Sequence, residues 1–220
     1  MKNFINKYKH AWTLLYALIY FPWFSYLEKT VTTNFNLIYL PVDDKIPFVD
    51  IFIIPYLLWF LFVAGTIFYL LIYSKEEYYK ACAFLFSGMT IFLIISTIYP
   101  NGLNLRESIT YNDSIFSDMV KMLQSTDTST NVFPSIHVYN SIGCFIALAK
   151  SKGLEQHKWI KVASGILATL IILSTMFLKQ HSVLDVIGAF VMAAVFYVIV
   201  YVPKRSKVND SLVEAEQSLE

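Results

Sequence analysis

The chain has 220 residues, 56% of them hydrophobic and 15% charged, with a formal net charge of +1 and a mean hydropathy of +0.54. That balance excludes an ordinary soluble domain and points to an integral membrane protein with a single domain. A charge so near zero argues against nucleic acid as a partner, which leaves the bilayer and a membrane lipid.

A membrane-crossing helix needs roughly 20 mostly apolar residues. Six segments come close: 11–26, 47–73, 81–99, 135–149, 159–178 and 181–202. The first contains Pro22 and the fourth is short, so the sequence defines their ends least. The first also resembles a secretion signal, with Lys2, Lys7 and Lys9 ahead of an apolar run. No small-x-small cleavage site follows, and a retained first span is expected. Between spans three and four lies the longest outer segment, about 100–134. Within it, SIFSDMVKMLQ sets Ile115, Phe116, Met119, Met122 and Leu123 at helical spacing. This predicts a short amphipathic helix in the membrane interface, capped by Asp113 or Ser114. Loop packing is preferred over gating of lipid entry as its role.

The expected fold is therefore all-α, a bundle of six transmembrane helices with one short interfacial helix. Residues 1–205 make the membrane domain, and the polar stretch 206–220 reads as a disordered tail. Cys82 and Cys144 lie inside apolar runs and read as small core residues. With the N-terminus in the cytoplasm, twelve Lys and Arg fall inside and five outside: Lys29, Lys45, Arg106, Lys121 and Lys179. That is the asymmetry of the positive-inside rule. Both termini are then cytoplasmic, in a bacterial cell membrane, and His137 and His181 both open spans from the outer face.

Imidazole is costly in lipid, so two histidines at matching entrances ask for a chemical reason. His181 and Asp185 are spaced i, i+4, which on a helix puts them on one face. A carboxylate there accepts the Nδ1–H, fixes the tautomer and leaves Nε2 as an attacking lone pair. The alternative is a structural hydrogen bond near the helix end. Residues 133–137, FPSIH, read as a helix start with Pro134 in the first turn. The free amides of Ser135, Ile136 and His137 would form an anion site there, and His137 could donate a proton to a leaving oxygen. Arg106 adds a planar cationic fork suited to phosphate. Lys179 is either a second phosphate cation or an ordinary membrane-flanking lysine.

These residues resemble the motifs of the type 2 phosphatidic acid phosphatase superfamily, which includes lipid phosphate phosphatases and, more distantly, sphingomyelin and inositol phosphorylceramide synthases. Its P-S-G-H motif is matched by Pro134, Ser135, Ile136 and His137. Its S-R-x5-H-x3-D motif is matched by Ser174, His181 and Asp185, with Thr175 in place of the arginine. The K-x6-R-P motif fits only at Arg106, since Tyr99 and Glu107 replace the lysine and proline. With six spans, the likeness extends over most of the chain. The resemblance implies a two-step phosphoryl transfer with no metal and no cofactor. His181 would attack phosphorus, Asp185 would orient it, and His137 would protonate the leaving alkoxide. Water or an alcohol would resolve the phosphohistidine. A lipid phosphatase is the first reading, the commoner activity in the superfamily. The missing cations favour a diester over a monoester, which makes a lipid phosphotransferase the alternative. A small non-enzymatic transporter would set polar residues near the midplane of several spans; here they gather at one face.

Overall fold

Where no water can reach the backbone, every N–H and C=O must be satisfied within its own segment, and the apolar runs of this chain accordingly become helices. The computed structural model describes residues 7–202. A 3₁₀ stretch, Lys9–Tyr16, leads straight into α1 (Ala17–Thr30). Then follow α2 (Ile53–Tyr73), α3 (Lys75–Ile98), α4 (Ile115–Thr126), α5 (Ile136–Lys150), α6 (Lys158–Phe177) and α7 (Val183–Tyr201). Among the described residues the only sheet is a two-residue parallel pair, β1 (Asn36–Leu37) with β2 (Asn101–Gly102).

Four of these helices are long and apolar enough to cross a membrane: α2 with its lead from Asp50, α3, α6 and α7. Their most apolar windows are only 22% (α2) to 44% (α3) buried inside the protein. Side chains such as Leu61, Phe68 and Val191 face outward. Apolar surface on that scale calls for hydrocarbon rather than water around it. The two other expected spans fall short by length. Helix α1 has 14 residues beyond its 3₁₀ lead. Helix α5 has 15, roughly 22 Å against a hydrocarbon core of about 30 Å. It can be short because protein surrounds it: Val138, Tyr139 and Cys144 are fully buried, and α5 packs on α2, α3, α6 and α7. Its entrance loop thus sits within the protein, where irregular backbone is tolerated.

Helices α3 and α5 approach closely because Gly88 has no side chain. A Cβ there would lie 2.1 Å from the Tyr139 ring, and the Tyr139 hydroxyl donates to the Phe84 carbonyl at 2.8 Å. The two chain ends of α1 locate it in the bundle. His10 Nε2 lies 2.9 Å from the Leu71 carbonyl at the end of α2, while Glu28 accepts from Thr128 at the opposite end. That opposite end holds both helix entrances, α4 and the β pair. Lys75, Lys80, Lys150, Lys152 and Lys158 fall instead where α2 joins α3 and α5 joins α6. Lys2, Lys204, Arg205, Lys207 and the expected tail 206–220 lie outside the described residues.

Helix α4 forms where its spacing predicts, with Ser114 as cap accepting from the Ser117 amide at 3.1 Å. Its apolar stripe divides. Phe116, Met119, Val120 and Leu123 pack with Ile53, Tyr56 and Leu178, while Ile115 and Met122 stay 70% and 74% exposed. Asp50 accepts from the Ser114 and Ser117 hydroxyls and fastens α4 to the start of α2. Cys82 and Cys144 are buried and form no disulfide.

Candidate active site

The turn between α6 and α7 sets the first histidine. Helix α6 ends with Lys179 in the left-handed region, φ 57°. Gln180 N and His181 N both donate to the Thr175 carbonyl, at 2.9 and 3.0 Å, and Lys179 N to Met176 O at 3.0 Å. This is a Schellman-type stop built without glycine. Ser182 then caps α7, which begins at Val183. His181 therefore stands in the turn before the cap, not on a shared helix face with Asp185 as its spacing suggested. The two still meet, because Asp185 reaches back as the acid of a capping box. Its Oδ2 accepts from Ser182 N at 2.9 Å and lies 3.2 Å from His181 Nδ1. Asp185 is fully buried. The structural and the orienting reading of this carboxylate hold together in one geometry.

Sequence reasoning missed Asp43, which holds the same turn from outside. Its carboxylate accepts from Ser182 Oγ at 2.6 Å, Val183 N at 2.9 Å and Leu40 N at 2.8 Å. A negative charge at a helix N-terminus is favoured by the helix dipole. The Asp43 carbonyl accepts from Lys179 Nζ at 2.6 Å. Burial pushes the Lys179 pKa down, with Asp43 and Asp44 pulling the other way. Lys179 thus spends its ammonium on the turn, away from the cavity described below.

Helix α5 sets the second histidine. Ser135 is its cap, accepting from Val138 N at 3.4 Å, so Pro134 precedes the cap rather than entering the first turn. The Ser135 amide donates to the Asp185 carbonyl at 3.2 Å and ties the two entrances together. Of the three amides expected to bind an anion, those of Ile136 and His137 remain in the acceptor-free first turn. The loop ahead is held by Asn101 Oδ1, which accepts from Val132 N and Phe133 N. It lies over Gly188 of α7, where a Cβ would meet the Phe133 ring at 2.6 Å.

His137 lies between two rings of α2, its centroid 4.5 Å from Tyr56 and 4.3 Å from Trp59. Its Nε2 is buried and has no protein partner. The His137 and His181 rings are 5.8 Å apart, and both line a cavity of about 210 Å³. Tyr20, Phe24 and Phe60 form its apolar wall, and Glu28, Asp127 and Asn131 a polar one. A wider groove of about 550 Å³ between α5 and α6 is nearly all apolar and remote from both histidines.

Arg106 is a brace. Its Nη1 donates to Asp127 O at 2.6 Å, and its Nη2 to Thr128 O at 2.9 Å and Gln180 Oε1 at 2.6 Å, with Asp127 Oδ2 at 3.3 Å. Gln180 and Asp127 line the cavity and Arg106 stands behind them. Tyr99 and Glu107, at the places of the missing motif residues, are exposed. Among the described residues, no group of three or more His, Cys, Asp or Glu is placed to hold a metal ion.

An apolar helical bundle whose two buried helix entrances set paired imidazoles, one carboxylate-bound, around a single cavity defines a membrane protein with a polar site at one end. Residues 109–207 match the family model described as the PAP2 superfamily, and that match supports the resemblance to the type 2 phosphatidic acid phosphatase superfamily. The match takes in the histidine motifs at 134–137 and 174–185 and begins after Arg106, so it covers somewhat under half of the chain rather than most of it. No curated protein and no solved structure matches the chain. The match suggests phosphatase or phosphotransfer activity on lipid-like phosphates.

Proposed function

We propose that the protein is a six-span membrane enzyme that transfers the phosphoryl group of a lipid phosphate through a phosphohistidine. The observation that carries this reading is the 5.8 Å separation of the His137 and His181 rings at one cavity, with His181 Nδ1 on Asp185. In this reading the rod 9–30 and α5 supply the fifth and sixth crossings, and the lysines at the opposite end support an outer-face site.

Held by Asp185, His181 presents Nε2 to phosphorus. An N–P bond forms as the P–O bond to the lipid breaks, and His137 gives its proton to the departing alkoxide. The first-turn amides of α5 stabilise charge on the phosphoryl oxygens. In the second step an O–H group attacks phosphorus, its proton returns to His137, and the N–P bond breaks. With water as acceptor the enzyme is a lipid phosphatase. With an alcohol it is a lipid phosphotransferase, a reading favoured by Arg106 and Lys179 both being bonded to protein rather than facing the cavity. Purified protein is incubated with phosphatidic acid and phosphodiester lipids, and free phosphate and new lipid products are scored together. Phosphate alone supports the phosphatase and a headgroup on a second lipid the transferase. Turnover of none of them rejects the enzyme.

His137→Ala is expected to slow a substrate with a poor alkoxide leaving group by at least about a hundredfold, and a nitrophenyl phosphate ester far less. Equal slowing of both would remove His137 as the acid.

A further inference from the structure

The cavity's polar wall carries the wrong charge for a phosphate alone. Glu28, near the end of α1, is half-buried there and accepts one hydrogen bond on each oxygen, from Thr128 Oγ1 at 2.6 Å and Asn131 Nδ2 at 2.8 Å. Among the described residues no Lys or Arg pairs with it. Asp127 lies beside it and is offset by Arg106 at 3.3 Å. Burial pushes the Asp127 carboxyl up, Arg106 pulls it down, and the Glu28 charge pushes it up again. Asn131 supplies an independent observation. It is 95% buried, being 5% exposed, and its amide nitrogen is spent on Glu28. Its Oδ1 is a buried acceptor with no protein partner, and Asn131 is one of the residues lining the same cavity. A buried acceptor without a donor is costly.

The cavity therefore carries both kinds of group. Imidazoles, the start of α5 and Trp59, whose Nε1 is unpartnered, line the same space as the Glu28 carboxylate and Asn131, whose Oδ1 is free. A phosphate monoester, carrying nearly two negative charges at neutral pH, meets an unpaired carboxylate in this space. A zwitterionic phosphodiester meets a partner for each of its charges. Resting on the phosphoryl-transfer reading of the same site, we infer that Glu28 and Asn131 form a subsite for a primary ammonium, so the lipid taken is a phosphodiester with an ethanolamine-type headgroup. Its N–H groups would satisfy Asn131 Oδ1 and Glu28 together. A quaternary ammonium would neutralise Glu28 but leave Asn131 unbonded, and aromatic contact alone would hold it.

The test uses the full chain in nanodiscs and compares phosphatidylethanolamine with phosphatidylglycerol, two diesters with one phosphate charge each that differ in the ammonium. The expected kcat/KM is at least about tenfold higher for the ethanolamine lipid, and Glu28→Gln should bring the two within about threefold. Comparable wild-type rates on both lipids would overturn the subsite, and so would an equal fall on both in Glu28→Gln. A phosphatidylcholine arm exceeding the ethanolamine arm would overturn the primary-ammonium assignment. Binding supplies a readout that needs neither turnover nor a variant. Soluble phosphoethanolamine should quench tryptophan fluorescence at a Kd about tenfold below that of inorganic phosphate; equal affinities count against the subsite. Full activity in His181→Ala would instead overturn the phosphohistidine reading and leave the headgroup preference standing.

Discussion

Replacing His181 with alanine is expected to cut turnover of a lipid phosphate by on the order of 10³-fold or more while the protein stays folded. The fold should tolerate the change because the turn is built from backbone. The His181 amide still donates to Thr175 O, Asp185 keeps the Ser182 amide, and Asp43 keeps Ser182 Oγ and Val183 N. The ring also stands at a cavity wall, so its loss widens an existing space instead of opening a void in the core. What disappears is the Nε2 that, in the proposed mechanism, a buried carboxylate holds toward phosphorus. Thermal unfolding of wild type and variant should superpose within a few degrees while rates diverge. The same chemistry leaves a second mark. Wild-type protein quenched during turnover should carry phosphate that survives alkali and is released by acid, as a phosphoramidate is, and the variant should carry none. A variant retaining more than about a tenth of the wild-type rate would remove His181 as nucleophile.

What could be read from the sequence tracks the range of the contacts. The Ser114 cap and the His181–Asp185 pair span three or four residues, and such pairings leave their mark in local spacing. The pair was found even though the helix expected to carry it starts two residues later. A capping-box acid that also reaches the residue before the cap, like a helix face, brings residues four apart into contact. Asp43 reaches Ser182 across 139 residues, Glu28 reaches Asn131 across 103, and Tyr56 and Trp59 come to His137 from another helix. No local pattern encodes those meetings. Arg106 was unreadable for the same reason. An arginine in an outer loop looks alike whether its fork meets a ligand or, as here, the Asp127 and Thr128 carbonyls. The apolar runs announced the long helices, but the length rule failed at α5. Neighbouring helices rather than lipid enclose that segment, so it need not match the thickness of the bilayer.

Asp185 separates two jobs that a single substitution would confound, and a pair of substitutions resolves them. In Asp185→Asn the amide oxygen can take the place of Oδ2, accepting from Ser182 N and from His181 Nδ1–H, so the cap and the ring orientation persist. The charge does not. In the proposed step the imidazole becomes cationic as Nε2 bonds to phosphorus, and a buried neutral amide stabilises that cation far less than a carboxylate 3.2 Å away. Turnover should fall between about 10² and 10⁴-fold with little change in KM, and the melting temperature should move little. Asp185→Ala should lose as much rate and also destabilise the fold by about 1 kcal/mol through the lost cap. The discriminating result is the rate of the asparagine variant at unchanged stability. If it turns over like wild type, the carboxylate serves the start of α7 alone, and His181 owes its position to the backbone turn that Asp43 and Thr175 hold.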